Sequence, residues 1–160
     1  MARILLAEDD PSQRSMIRTI LEMRDHYVTD VPNGGEALRR LRQETFDIVL
    51  LDVMMPELSG YEVLEKLAEI EGFQTPVIMV TAQSDAPGIA REARTGAIEH
   101  ISKPYRVEEL EDTVARVLAF TPDELARRAA ALRLRAETFD GVAHLRETLD
   151  EREDPKRRRR

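Results

Sequence analysis

Between Ile4 and Leu118, short apolar runs alternate with stretches of helical spacing, and that alternation leaves few folds open. Ile4 to Ala7 reads as a buried strand. Pro11 then opens a helix in its first turn, where a missing N–H costs little, with Met16, Ile17, Ile20 and Leu21 at helical spacing. Tyr27 to Val31 is a second, weaker strand. Asn33-Gly34-Gly35 reads as a turn before a helix carrying Ala37, Leu38 and Leu41. Phe46 to Asp52 is a third strand, apolar until its last residue. Pro56 to Gly60 reads as a loop and Tyr61 to Ile70 as a helix with Val63, Leu64 and Leu67 inward. Val77 to Thr81 is strand four, Ile89 to Arg94 a short helix, Ile98 to Ser102 strand five. Val107 to Leu118 is a fifth helix with Val107, Leu110, Val114, Val117 and Leu118 as its stripe.

Five strands alternating with five helices predict an α/β fold with a doubly wound parallel sheet. The near-continuous apolar runs of strands one, three and four suit strands covered on both faces. Such sheets bind ligands beyond the carboxyl ends of their strands. Strand one ends in Glu8-Asp9-Asp10, strand three in Asp52 and strand four in Thr81, while Lys103-Pro104 follows strand five. The fold therefore gathers the unusual polar residues at one edge. Each acid alone is as easily a helix cap or a solvated charge, but a shared edge for all of them points to a site.

Three or four carboxylates gathered without a cation repel and raise one another's pKa. A divalent cation removes that problem, and an oxygen-only donor set suits Mg²⁺ or Mn²⁺ better than zinc. Mg²⁺ commonly shares its shell with phosphate, so the site reads as a phosphoryl site. Asp52 is then the candidate nucleophile, forming an aspartyl-phosphate. Lys103 balances charge on the transferring group, the Thr81 hydroxyl bonds a phosphoryl oxygen, and the N–H groups of Val53 and Ala82 complete the cradle.

Composition closes other routes. The chain has no Cys, which removes disulfides, thiolate metal sites and cysteine nucleophiles, and no Trp. No apolar run approaches the length of a membrane span, and the N-terminus lacks a signal-peptide layout, so a cytoplasmic protein is expected. Residues 1–120 hold 13 basic and 22 acidic residues, a net charge of −9 that repels phosphate backbones. Nucleic acid is therefore an unlikely partner.

The segments Ile4-Leu5-Leu6-Ala7-Glu8-Asp9-Asp10-Pro11-Ser12, Leu50 to Tyr61, Pro76 to Ala82, Gly96-Ala97 and Ile101-Ser102-Lys103-Pro104-Tyr105 resemble, in order and spacing, the response regulator receiver domains of two-component signalling. The resemblance covers about residues 3–119. It implies the flavodoxin-like five-stranded order 2-1-3-4-5. It implies Asp52 as phospho-acceptor, and Glu8, Asp9, Asp52 and the backbone carbonyl of Met54 as the metal site. Asp9 is then the direct ligand, Glu8 acts through water, and Asp10 is a flanking residue. Thr81 and Lys103 match the switch hydroxyl and the phosphate-binding lysine. His100 stands where an aromatic switch residue is usual, and Met54 and Gln83 where dephosphorylation is tuned. The resemblance further implies a phosphoryl donor, a phosphohistidine on a sensor histidine kinase or phosphotransfer protein. The output is a switched face built from the fourth helix, strand five and the fifth helix, toward a downstream effector the sequence does not name. Catalysis is limited to self-phosphorylation and self-dephosphorylation. A haloacid-dehalogenase-like phosphatase is disfavoured, because Met54 stands where that family places its acid/base Asp.

Residues 1–120 thus read as the receiver, 121–152 as a helical extension and 153–160 as a basic disordered tail. Thr121-Pro122-Asp123-Glu124 is a capping box with Pro at the first helical position. Leu125, Ala129, Leu132, Ala136, Phe139 and Ala143 form a heptad-like seam that needs a partner: the receiver itself, a second copy (a homodimer through 121–150) or an effector. Gly141 leaves one helix or two open. A DNA-binding transcriptional regulator using the extension and tail is the alternative. The stand-alone type fits better, because the extension is too short for the usual DNA-binding domains.

Overall fold

The computed structural model describes residues 1–82 and 96–131. Nine of the ten expected elements are described, in the expected order: β1 (Arg3–Ala7), α1 (Pro11–Glu22), β2 (Tyr27–Val31), α2 (Gly34–Gln43), β3 (Ile48–Asp52), α3 (Gly60–Ala68), β4 (Val77–Ala82), β5 (Glu99–Lys103) and α4 (Val107–Leu118). A further helix, α5, covers 122–131. The strands form one parallel sheet in the order β2-β1-β3-β4-β5. The expected helix at Ile89 to Arg94, Gln83 and the extension beyond residue 131, with its tail, lie outside the described residues. Among the described residues, no helix is long and apolar enough to cross a membrane.

Period-two alternation along the strands divides the core into two layers. Leu5, Ala7, Val49, Leu51 and Met79 pack against Ala37 and Leu38 of α2 and Val63, Leu64 and Leu67 of α3. Ile4, Leu6, Ile48, Leu50, Ile78, Val80 and Ile101 face the other way, against Ile17 and Leu21 of α1 and Leu110, Val114 and Val117 of α4. This is why strands one, three and four carry no polar face. Each such side chain, fully buried, contributes roughly 1.5–3 kcal/mol.

Several boundaries differ from the sequence expectation, each for a local reason. Asn33 is not in a turn but caps α2, its side chain accepting from the Glu36 amide, so Gly34 and Gly35 are helical. A Cβ on Gly34 would lie 2.5 Å from Val63 Cγ2 and 2.8 Å from the Leu58 carbonyl, so a glycine lets α2 approach α3. β3 starts at Ile48 rather than Phe46, whose buried ring packs without joining the ladder. α3 runs from Gly60 to Ala68 rather than from Tyr61 to Ile70, and β5 sits one residue later than expected at each end. Met16 and Val107, expected on apolar stripes, are exposed.

Gly60 sets how closely α3 approaches the end of β3. Its amide donates to the Val53 carbonyl at 3.0 Å. A Cβ there would overlap the Asp52 carbonyl oxygen and lie 3.0 Å from Val53 Cα. Gly60→Ala is expected to lower unfolding free energy by about 1–3 kcal/mol through overpacking. Urea denaturation checks this, and an unchanged midpoint would contradict the close approach.

Candidate functional site

The carboxyl ends of β1, β3, β4 and β5 lie along one edge of the sheet. Ala7 pairs with Leu51, Asp52 with Val80 and Ala82 with Lys103, so the residues that end these strands are neighbours in space. Glu8 is 1% exposed and Asp52 4% exposed, unusual burial for carboxylates. Carboxylate oxygens of Glu8, Asp9 and Asp52 all lie within 4.8 Å of one another. Lys103 Nζ lies 3.0 Å from Glu8 Oε2 and 3.3 Å from Asp52 Oδ2. The peptide that joins Lys103 to Pro104 is cis.

The backbone completes the arrangement differently from expectation. The Met54 amide donates to Asp52 Oδ1 at 3.2 Å. The Val53 amide, expected in the cradle, is instead taken by the Val80 carbonyl at 3.0 Å, extending the β3–β4 ladder by one bond. Thr81 is buried at the end of β4, between the strands that carry Asp52 and Lys103. Asp10 is absorbed as the N-cap of α1, accepting from the Gln13 amide at 2.8 Å, which explains its flanking role. The Met54 side chain projects into solvent. His100 is exposed on β5, opposite Met79 in register.

Two groups were not expected from the sequence. Arg14, one turn into α1, donates from Nη1 to the carbonyls of Glu8 (2.8 Å) and Asp9 (3.3 Å) and pairs through Nε with Asp30 (3.2 Å). Its only sequence signal was a lone basic residue shortly after an acidic triplet. Tyr105 buries a hydroxyl that has no hydrogen-bond partner among the described residues. Burial raises its pKa, and the charges of Glu8 and Asp52 act in the same direction against that of Lys103.

The electrostatics follow from burial. Removal from water pushes the Glu8 carboxyl above its usual value of 4.5, and the charge of Asp52 adds to this; hydrogen bonds from Lys103 and the Asp10 amide offset it in part. Burial alone would lower the Lys103 pKa, but its hydrogen bond to Glu8 and the two carboxylate charges outweigh it and raise the pKa above 10.5. One ammonium among three carboxylates leaves an excess of negative charge. The donor set is all oxygen, as a hard divalent cation requires, and its 4.8 Å span is close to the roughly 4.2 Å across an octahedral Mg²⁺ shell. The residues therefore fit Mg²⁺.

Comparisons with known proteins agree with this fold. A model of the response regulator receiver domain matches residues 4–115. Protein PilH of Pseudomonas aeruginosa is 36% identical over 120 residues, covering 74% of this chain and 99% of that protein. The receiver domain of a signal transduction histidine kinase from Syntrophus aciditrophicus has a TM-score of 0.70 at 34% identity, covering 74% of this chain and 91% of that one. The receiver domain of a sensor histidine kinase from Pseudomonas aeruginosa, solved with a magnesium ion coordinated in its active site cleft, has a TM-score of 0.69 at 27% identity, covering 74% and 98%. The chain also matches curated transcriptional regulators, but spans only 46% and 49% of the length of two of them.

The raised Glu8 pKa has a sign that can be measured. A carboxyl that titrates higher in the folded chain than in the unfolded one stabilises the fold at low pH, and this contribution is lost as pH rises through the folded pKa. In EDTA, Glu8→Gln is therefore expected to have a higher urea midpoint than the parent near neutral pH. The gap should close toward the unfolded value of 4.5. A Gln variant less stable than the parent across this range would reverse the assignment.

Proposed function

The chain belongs to the response regulator receiver family, and on that premise we propose how its acidic pocket divides the work of phosphoryl transfer. Asp52 is the acceptor. A carboxylate oxygen of Asp52 bonds to the phosphorus of a phosphohistidine as the P–N bond breaks, and the imidazole leaves with the electron pair. The donor is a sensor histidine kinase or a phosphotransfer protein, in a cytoplasmic setting. The observation that carries this reading is the meeting of Asp52 with Glu8, Asp9 and Lys103 at one sheet edge, within 4.8 Å for the acids and 3.3 Å for the ammonium.

Glu8, Asp9, Asp52 and the Met54 carbonyl would hold Mg²⁺, and Mn²⁺ would suit the same oxygens. The bound ion supplies charge neutralisation for the transferring group. The Met54 amide and the Lys103 ammonium orient the two oxygens of Asp52 before transfer, which reduces the orientational cost of an in-line reaction. Once the phosphoryl group is in place, Lys103 shifts its bond from the acids to a phosphoryl oxygen. The Thr81 hydroxyl follows, and His100 on the neighbouring strand answers that movement. This is a population shift between two arrangements of the β4–β5 end of the sheet.

Residues 1–120 form the receiver, 121–152 a helical extension and 153–160 a tail, and the start of the extension, α5, packs on the receiver. Support for the packing comes from α5. Its capping box is made, with the Thr121 amide and hydroxyl 2.7 and 2.9 Å from Glu124 Oε2. Leu125 and Ala129 line a cleft of about 610 Å³ with Leu67, Phe73 and Ile98. Arg128 lies 4.1 Å from the Phe120 ring centroid and 3.4 Å from Glu99. A DNA-binding output is not favoured, given the acidic body and an extension whose first helix lies against the receiver.

Intact-mass measurement after incubation with acetyl phosphate and Mg²⁺ tests the proposal. The parent is expected to gain one phosphoryl group and Asp52→Asn none, while Lys103→Met slows labelling about 100-fold. Full labelling of Asp52→Asn would refute the acceptor.

A further inference from the structure

We infer that Arg14 is a positioning residue for the metal-binding acids, acting through their backbone rather than their side chains; the inference rests on the receiver reading above. Glu8 and Asp9 lie in the short connection between β1 and α1, where the ladder to β2 ends. The last ladder bond runs from the Glu8 amide to the Val31 carbonyl at 3.2 Å. Beyond it, the carbonyls of Glu8 and Asp9 have left the sheet. Both are taken by one guanidinium nitrogen of Arg14, at 2.8 and 3.3 Å. The Glu8–Asp9 peptide is thus held at its entrance by β2 and on its exit side by α1. Fixing that plane fixes the direction in which the Asp9 side chain leaves the backbone.

Arg14 is itself anchored. Its Nε pairs with Asp30 at 3.2 Å, and its side chain is only 19% exposed. Asp30 lies on β2, in register with Leu6, and receives a second guanidinium from Arg18 at 2.7 Å. Arg18 in turn is held by Glu22 at 2.8 Å. The relay runs from α1 through the end of β2 to the two carbonyls, and Asp30 touches neither acid directly. A planar guanidinium can serve two carbonyls and a carboxylate at once; an ammonium on a flexible stem cannot hold that geometry. Groups that orient ligands without touching the metal commonly change affinity 10–100-fold when removed.

The test is Mg²⁺ affinity, read from backbone amide shifts of the full chain during titration with the metal alone, with no phosphoryl transfer involved. Arg14→Met is expected to raise the Mg²⁺ Kd about tenfold. Asp30→Asn should shift it in the same direction by less, and the double variant should be no weaker than Arg14→Met. Arg14→Lys, which keeps the charge but loses the fork, should resemble Arg14→Met. Arg24→Ala, which breaks the exposed 2.7 Å pair between Arg24, just past the end of α1, and Glu111 of α4, should leave the Kd unchanged. A Kd within twofold of the parent for Arg14→Met overturns the inference, as does full recovery with Arg14→Lys, which would make charge alone the cause. Equal weakening by Arg24→Ala overturns it too, by making the effect one of general stability. A parent chain that binds no Mg²⁺ overturns the receiver reading itself, and the inference with it.

Discussion

Two carboxylates, Glu8 and Asp52, are carried almost completely out of water at the ends of adjacent strands, and the ammonium of Lys103 from the far side of β4 makes that burial tolerable. An isolated ionised carboxylate in such a place is costly unless it is paired and hydrogen-bonded. Lys103 reaches both, the Met54 amide takes a third oxygen and the Asp10 amide a fourth. Even so, burial still holds Glu8 above its normal pKa, so the compensation is incomplete. That shortfall is what a bound cation would relieve, since its charge offsets a cost already built into the fold.

The sheet makes this possible by rigidity. β1, β3 and β4 are covered on both faces, by α2 and α3 on one side and by α1 and α4 on the other. Their ends cannot drift apart without opening two packed layers. Gly60 adds a constraint from the loop side, since the start of α3 sits directly against the Asp52 backbone. The acidic edge is thus preorganised by apolar packing several residues away, and the residues gathered there spend little of their own interaction energy on being placed.

Much of this was legible beforehand. Strand and helix order follow from apolar periodicity, and the collection of Glu8, Asp9, Asp52, Thr81 and Lys103 at one edge follows from that order alone. Where the reading missed, it missed on close approach. Asn33-Gly34-Gly35 has turn chemistry, yet the glycine is there because α2 runs against Val63 and Leu58, a contact between segments some 25 residues apart. Val53 was expected to face the site, but one more ladder bond to Val80 consumed its amide and left the role to Met54. Arg14 carries no motif, because its partners are two carbonyls, and every residue has a carbonyl.

The sequence alone determined the layered α/β architecture, the edge at which the polar residues collect and the oxygen-only character of the site. These depend on residue type and period, which are properties of a linear chain. Tertiary structure decided which backbone groups are still free at that edge, that Asp10 is spent on capping α1, and which cation serves the carboxylates rather than the carbonyls behind them. Those outcomes turn on distances of about 3 Å between segments far apart in the chain, since a hydrogen bond weakens steeply outside a narrow range of length and angle.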